Sequence, residues 1–289
     1  MLEWQFEHFK TFYNFPIMQQ TAACLLLFEG QSPEATKNLK LNQLTDMLIE
    51  STGHKAWKPA RDMGNLNIDD EGGSIFRNKA RLLSSFYICV PFDLLTESNM
   101  DKQIVLTPFG KALGLGYIEE GDFFNFIIKK FQYPNPAFSN YKDWVASGIV
   151  IRPFILILKS LVFLYENYGL EQSYLTNKEV CSYLVPLKNE SSEIAMNTLI
   201  DHRKKNILPP ANNQDPRKVK EILFFLSMSK YVYIDTTTSS EEFFRLNLID
   251  FHSKEKTYFF ESRSAGGAGY GKKKFRESKL EKIKKLWKD

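Results

Sequence analysis

The sequence predicts a mainly α-helical chain with small β-hairpins, an α+β architecture ending in a basic tail. Three observations predict it. Apolar residues recur at helical spacing through most of the 289 residues. Two pairs of β-rich runs are each separated by a polar turn. The last 27 residues, Arg263 to Asp289, hold ten Lys or Arg against three acidic side chains, about +7, whereas the rest of the chain sums to about −3.

The elements follow in two rounds of similar layout. Ile17 to Phe28 is an apolar helix closed by Gly30, and Leu41 to Ile49 is a second, with Leu41, Leu44 and Leu48 on one face. Ser74 stands where a helix N-cap would, before IFRNKARLLSSFYICV. Phe76, Ala80, Leu83 and Tyr87 form its buried face; Arg77, Arg81 and Ser84 lie on another, with Asn78 and Ser85 beside them. Phe92–Leu95, a polar turn through Glu97–Lys102 and Gln103–Leu106 make a hairpin. Thr107-Pro108 then opens a short helix that Gly114 ends. Three helices and a hairpin in this order suggest a winged-helix unit.

Gly121 to Phe131 is a connector helix ending in Lys129-Lys130, a pair that could touch phosphate and that also suits the negative end of the helix dipole. Tyr133-Pro134-Asn135-Pro136 must be extended or turned, because each proline disfavours helix before it. The domain boundary is expected between Tyr133 and Gly148.

The second round begins with an apolar helix from Phe154 to Tyr168. Thr176 and Glu179 form a capping box for a helix through Val180 to Leu184. Ser192 to Lys205 is a third helix, with Ala195, Leu199 and Ile194 facing inward and a basic end, His202-Arg203-Lys204-Lys205. A proline-bounded loop leads to a helix over Lys218–Ser229, preceded by Arg217, and Tyr231–Ile234 with Phe243–Leu248 is a second hairpin. The tail divides into a glycine-rich basic arm, through Arg276, and a short helix from a second capping box at Ser278–Glu281, with Leu280, Ile283, Leu286 and Trp287 sharing a face. The expected layout is winged-helix-like domain 1 with its connector at 1–132, winged-helix-like domain 2 at 148–262, and the tail at 263–289.

Composition narrows the function classes. With 43% apolar, 25% charged and 14% aromatic residues the chain is an ordinary globular one. No apolar stretch approaches a membrane span, no basic-then-apolar leader is visible, and Cys24, Cys89 and Cys181 are scattered in apolar contexts, as expected of reduced thiols in a cytoplasmic protein. The four histidines share no metal-ligand spacing, and Gly267 to Lys272 lacks the following Ser or Thr of a phosphate-binding loop. A nuclease needs clustered carboxylates for Mg²⁺ and a nearby lysine. Asp235 or Asp250 with Glu277-Ser278-Lys279 matches only the letters, because the triplet falls at a helix start rather than on a strand. No catalytic residue or cofactor is therefore assigned to this chain. A basic glycine-rich end on a near-neutral body points instead to an anionic partner, nucleic acid first.

Four segments carry a resemblance: LTPFGKALG at 106–114, KKFQYPNPAF at 129–138, GIVIRPFILILKSLVFL at 148–164, and the GGAGYGKKK stretch. They resemble the N-terminal recognition part of AlwI-like type II restriction endonucleases, which are similar in plan to FokI-like enzymes. The resemblance implies a bacterial or archaeal defence protein of a restriction-modification system that reads a short double-stranded DNA sequence. It also implies a separate nuclease domain or subunit, for which Mg²⁺ is the expected cofactor. On this reading Arg77, Asn78, Arg81 and Ser84 face a major groove. Arg203, Lys204 and Lys205 contact phosphate or a second half of the site, and Lys272, Lys273, Lys274 and Arg276 clamp the backbone. Two alternatives remain open: a Mg²⁺-dependent endonuclease with an unrecognised site in this chain, or an interaction module docking through its C-terminal helix.

Overall fold

In the computed structural model, residues 3–6, 15–27, 29–30, 83–89, 105–236, 241–248 and 267–288 are described, the side chains of the last segment from Arg276 onward. The chain forms two compact units. One comprises residues 9–127 and 134–146; the other gathers 1–8, 128–133 and 147–289.

In the first unit, α1 (Phe15–Leu26) turns Met18, Thr21, Ala22, Cys24 and Leu25 inward, the spacing of one helix face. Helix α2 (Pro108–Gly114) starts as the sequence predicts: Thr107 Oγ1 accepts the Gly110 N–H at 3.0 Å, and Pro108 occupies the first turn, where a missing N–H costs nothing. The Thr107 hydroxyl also donates to the Tyr87 carbonyl, and Cys89 bridges Leu106 antiparallel. Gly110 lies so close to Ile88 that a Cβ would overlap the Ile88 carbonyl. Helix α3 (Glu120–Lys130) begins acidic and ends in Lys129 and Lys130, matching its dipole. Its Phe123 packs against Phe15, Phe86 and Phe109, and Phe126 stacks on Phe109 at 3.8 Å. Helix α4 (Tyr141–Ser147) inserts Trp144 against Phe138.

One expectation is corrected here. Ser84, expected on an outward face, is buried with Leu83, Ser85 and Phe86. Four consecutive residues, Leu83 to Phe86, are buried, so this last turn has no outward face, and the helix ends before Tyr87, which takes a positive φ of 59°. Arg77, Asn78 and Arg81 lie outside the described residues.

The second unit is built on α5 (Pro153–Tyr168). Ten of its 16 residues are buried, and Gly169 closes it at φ 82°. The N-terminal segment joins this core: Phe6 meets Phe131, Phe154 and Phe225 edge-on, and the Tyr133 hydroxyl donates to the Gln5 carbonyl at 2.6 Å. Strand β1 (Tyr174–Leu175) precedes α6 (Asn177–Glu179), whose capping box is formed as read from T-x-x-E. The helix continues as a π turn over Val180–Leu184. Helix α7 (Glu193–Lys204) buries Met196, Leu199 and Ile200, not Ile194, which is 84% exposed. Helix α8 (Pro216–Met228) leads into β2 (Val232–Asp235) and β3 (Phe243–Leu246). The sheet is antiparallel in the order β1-β3-β2, with Phe244 and Leu246 on its buried face. Mostly helical, with a small three-stranded sheet, the chain has the predicted α+β character.

The tail departs from expectation. Helix α9 runs from Gly267 to Lys288, so the expected arm is helical from Gly267 through Arg276, and residues 263–266 lie outside the described residues. Its apolar stripe is docked: Leu280, Ile283 and Leu286 are buried where α9 packs on α5 of the same unit, and Lys284 Nζ sits 2.6 Å from Glu166 Oε1. Burial of that stripe supplies the tertiary contact that helix propensity in a glycine-rich segment lacks. It also occupies the face through which an interaction module would have docked.

Candidate nucleic-acid interface

The basic side chains of the second unit concentrate where α7 ends and α8 begins. Helix α7 closes on Lys205, and Asn206 follows at φ 55°, letting the Ile207 N–H reach the His202 carbonyl at 2.9 Å. The loop to α8 is tied down at several points. The Ser182 hydroxyl donates to the Pro210 carbonyl at 2.7 Å. Gln214 accepts the Trp4 N–H and donates back to the Trp4 carbonyl, at 2.8 and 3.0 Å. Asp215 then caps α8 by accepting the Arg217 N–H at 3.0 Å.

Among these cations the structure separates internal from outward-facing ones. Arg203 is internal: Nε and Nη2 donate to the two oxygens of Glu179, both at 2.8 Å, Nη2 also donates to the Tyr174 carbonyl, and the guanidinium lies 3.7 Å above the Tyr174 ring. With only 12% of its side chain exposed it has no edge left for phosphate, so the phosphate role expected of it is corrected. The neighbouring His202 ring shares a 2.8 Å hydrogen bond with the Tyr183 hydroxyl. Lys204 and Lys205 are exposed; Lys205 pairs with Asp201 one turn back, at 2.8 Å. In the first turns of α8, Lys218 meets Glu3 at 3.4 Å and Lys220 meets Glu242 at 2.8 Å, while the Arg217 side chain is 81% exposed. Lys218 and Lys220 thus meet carboxylates distant in sequence, whereas the partner of Arg217 is the neighbouring Asp215. Leu208, 84% exposed, adds an apolar tip to the loop.

Helix α9 carries the other predicted cations. Lys272, Lys273 and Lys274 belong to its backbone, and Arg276 is half-buried. Lys282 and Lys285 are exposed alongside the docked stripe.

Among the described residues no group of His, Cys, Asp and Glu could hold a metal ion. Asp235 is bonded to Arg245 at 2.8 Å, Glu277 is exposed on α9, and Asp250 lies outside the described residues. No described helix is long and apolar enough to cross a membrane.

Residues 116–288, which include every element of the second unit from α5 onward, match the family model described as restriction endonuclease BpuJI, N terminal. The chain belongs to that family. Three of the four segments that resemble AlwI-like enzymes, 129–138, 148–164 and the GGAGYGKKK stretch, fall within the matched residues, and the segment at 106–114 lies before them. No curated protein matches the chain. A crystal structure of pyrene- and phenanthrene-modified DNA in complex with the BpuJ1 endonuclease binding domain is similar in fold. The TM-score is 0.59 at 14% identity, over 97% of this chain and 95% of that one. That solved structure is described as a binding domain, in complex with DNA.

Proposed function

We propose that this BpuJI N-terminal family member is the recognition part of a restriction endonuclease, reading a short duplex DNA sequence while a separate nuclease domain or subunit cleaves. The observation that carries this is the family match over the second unit, where α8 leads directly into the β2–β3 hairpin with basic residues in its first turns. The order α5, β1, three helical segments, β2 and β3, with β1 pairing to β3, supports a winged-helix reading of this unit, with α8 in the recognition position. The first half, about 1–132, is its winged-helix-like counterpart in this reading, on the FokI-like plan of the AlwI-like enzymes. Lys204, Lys205 and the α9 cations Lys272, Lys273, Lys274 and Arg276 supply phosphate contacts. They position the protein, and base contacts specify. Mg²⁺ belongs to the nuclease partner, and the setting is the cytoplasm of a bacterial cell.

Selection from random duplex DNA with the whole chain tests this. An enriched motif is the expected result, and absence of any enrichment overturns the reading. The same preparation incubated with plasmid and Mg²⁺ is expected not to cut. Cleavage abolished by changing one carboxylate would place a nuclease site in this chain.

A further inference from the structure

We propose that Arg217 reads a guanine in the bound duplex and that Asp215 is its positioning residue; this rests on the DNA-recognition reading above. Arg217 is the second residue of α8, after Pro216. Asp215 Oδ1 accepts both the Arg217 backbone N–H at 3.0 Å and its Nε–H at 3.2 Å, and Oδ2 accepts from Nη2 at 3.2 Å. The carboxylate therefore takes the side edge of the guanidinium. A guanidinium has five N–H donors, so the end-on edge, Nη1 with the outer hydrogen of Nη2, is left as a parallel fork directed away from Asp215. With 81% of the side chain exposed, that fork faces solvent.

Guanine alone presents two adjacent acceptors, O6 and N7, on its major-groove edge, and a parallel N–H pair matches them. A fork held at its side edge is ordered before binding, which lowers the entropy lost on contact. The neighbouring cations are placed differently. Arg203 is locked to Glu179, and Lys218 and Lys220 bridge to Glu3 and Glu242. Arg217 thus combines an exposed forked edge, a carboxylate aligning it, and a place at the start of the helix preceding the hairpin.

The test uses the whole chain and the duplex it enriches from a random pool. Each guanine of the motif is replaced in turn by 7-deazaguanine, which lacks the N7 acceptor, and by the other bases. At one guanine the wild type is expected to lose about tenfold or more in affinity. Arg217→Ala is expected to bind the enriched duplex more weakly and to be indifferent to 7-deazaguanine at that position, with preferences elsewhere intact. Asp215→Asn keeps a capping side chain but weakens the alignment, and is expected to lose discrimination at the same base pair without losing affinity for random duplex. Equal loss on enriched and random duplex for Arg217→Ala, or retention of the 7-deazaguanine penalty, overturns the assignment and leaves DNA recognition standing. A wild type that enriches no motif overturns the recognition reading, and the assignment falls with it.

Discussion

Arg203 and Glu179 form a two-point ion pair, Nε and Nη2 each 2.8 Å from a carboxylate oxygen, and Glu179 Oε2 also accepts the Thr176 N–H that closes the capping box. One carboxylate thereby joins the end of α7 to the start of α6. Both side chains are almost wholly buried, so removing one leaves an uncompensated charge. Arg203→Ala is expected to lower unfolding stability by about 3 kcal/mol, measured by chemical denaturation. Its salt dependence of DNA binding is expected to match the wild type.

Glu190 accepts from Arg152 Nε at 2.7 Å and Lys159 Nζ at 2.8 Å. Burial alone would raise its pKa, but the hydrogen bonds and charges of the two cations outweigh it, and the carboxyl is held below its ordinary value. A carboxyl depressed in the folded state contributes stability above its unfolded pKa, near 4.3, and loses it as pH falls through the folded value. Glu190→Gln is expected to cost about 1–2 kcal/mol at neutral pH. The gap from wild type should close in denaturation curves taken below about pH 4.

Two glycines give opposite expectations. A Cβ on Gly110 would overlap the Ile88 carbonyl, whose carbon would lie 2.8 Å away, so Gly110→Ala is expected to destabilise by about 2 kcal/mol. Gly121, within α3, has open space around the same atom, and Gly121→Ala is expected to stabilise by about 0.5–1 kcal/mol. Thermal unfolding of the two variants checks both signs.

Helix α9 separates docking from charge. Ile283→Ala, at a position only 1% exposed, is expected to cost about 2–4 kcal/mol, whereas Lys284→Ala, which removes the part-exposed pair with Glu166, is expected to cost less than about 1 kcal/mol. Replacing Lys272, Lys273 and Lys274 together by Ala is expected to leave the unfolding midpoint unchanged. The slope of log affinity against log salt should fall by about 2–3. Fluorescence anisotropy titrations across a salt series would show it.

Much of this was legible at short range. The Thr107-Pro108 start, the Thr176–Glu179 capping box, the connector helix with its terminal lysines and the second hairpin all depend on residues within one or two turns of each other. The errors fall where local spacing ends. Ile194 was placed inward by periodicity, but it stands in the first turn of α7, beyond the reach of the core that takes Met196 and Leu199. Propensity alone makes the glycine-rich stretch a loose arm; the docking of Leu280, Ile283 and Leu286 further along the same helix decides otherwise.

By itself the sequence determined the capped starts of α2 and α6, the connector helix α3, the apolar helix α5, the β2–β3 hairpin and the concentration of positive charge, because each is set by neighbours along the chain. Only the tertiary structure decided which cations face outward. Arg203 and Arg217 carry the same guanidinium, but Arg203 meets a buried glutamate 24 residues away, while Arg217 is held by a capping aspartate two residues away and keeps an edge in solvent. The loop between them is fixed by Gln214 on Trp4, 210 positions apart. Contacts at that separation follow from packing of the whole unit, which local periodicity does not encode.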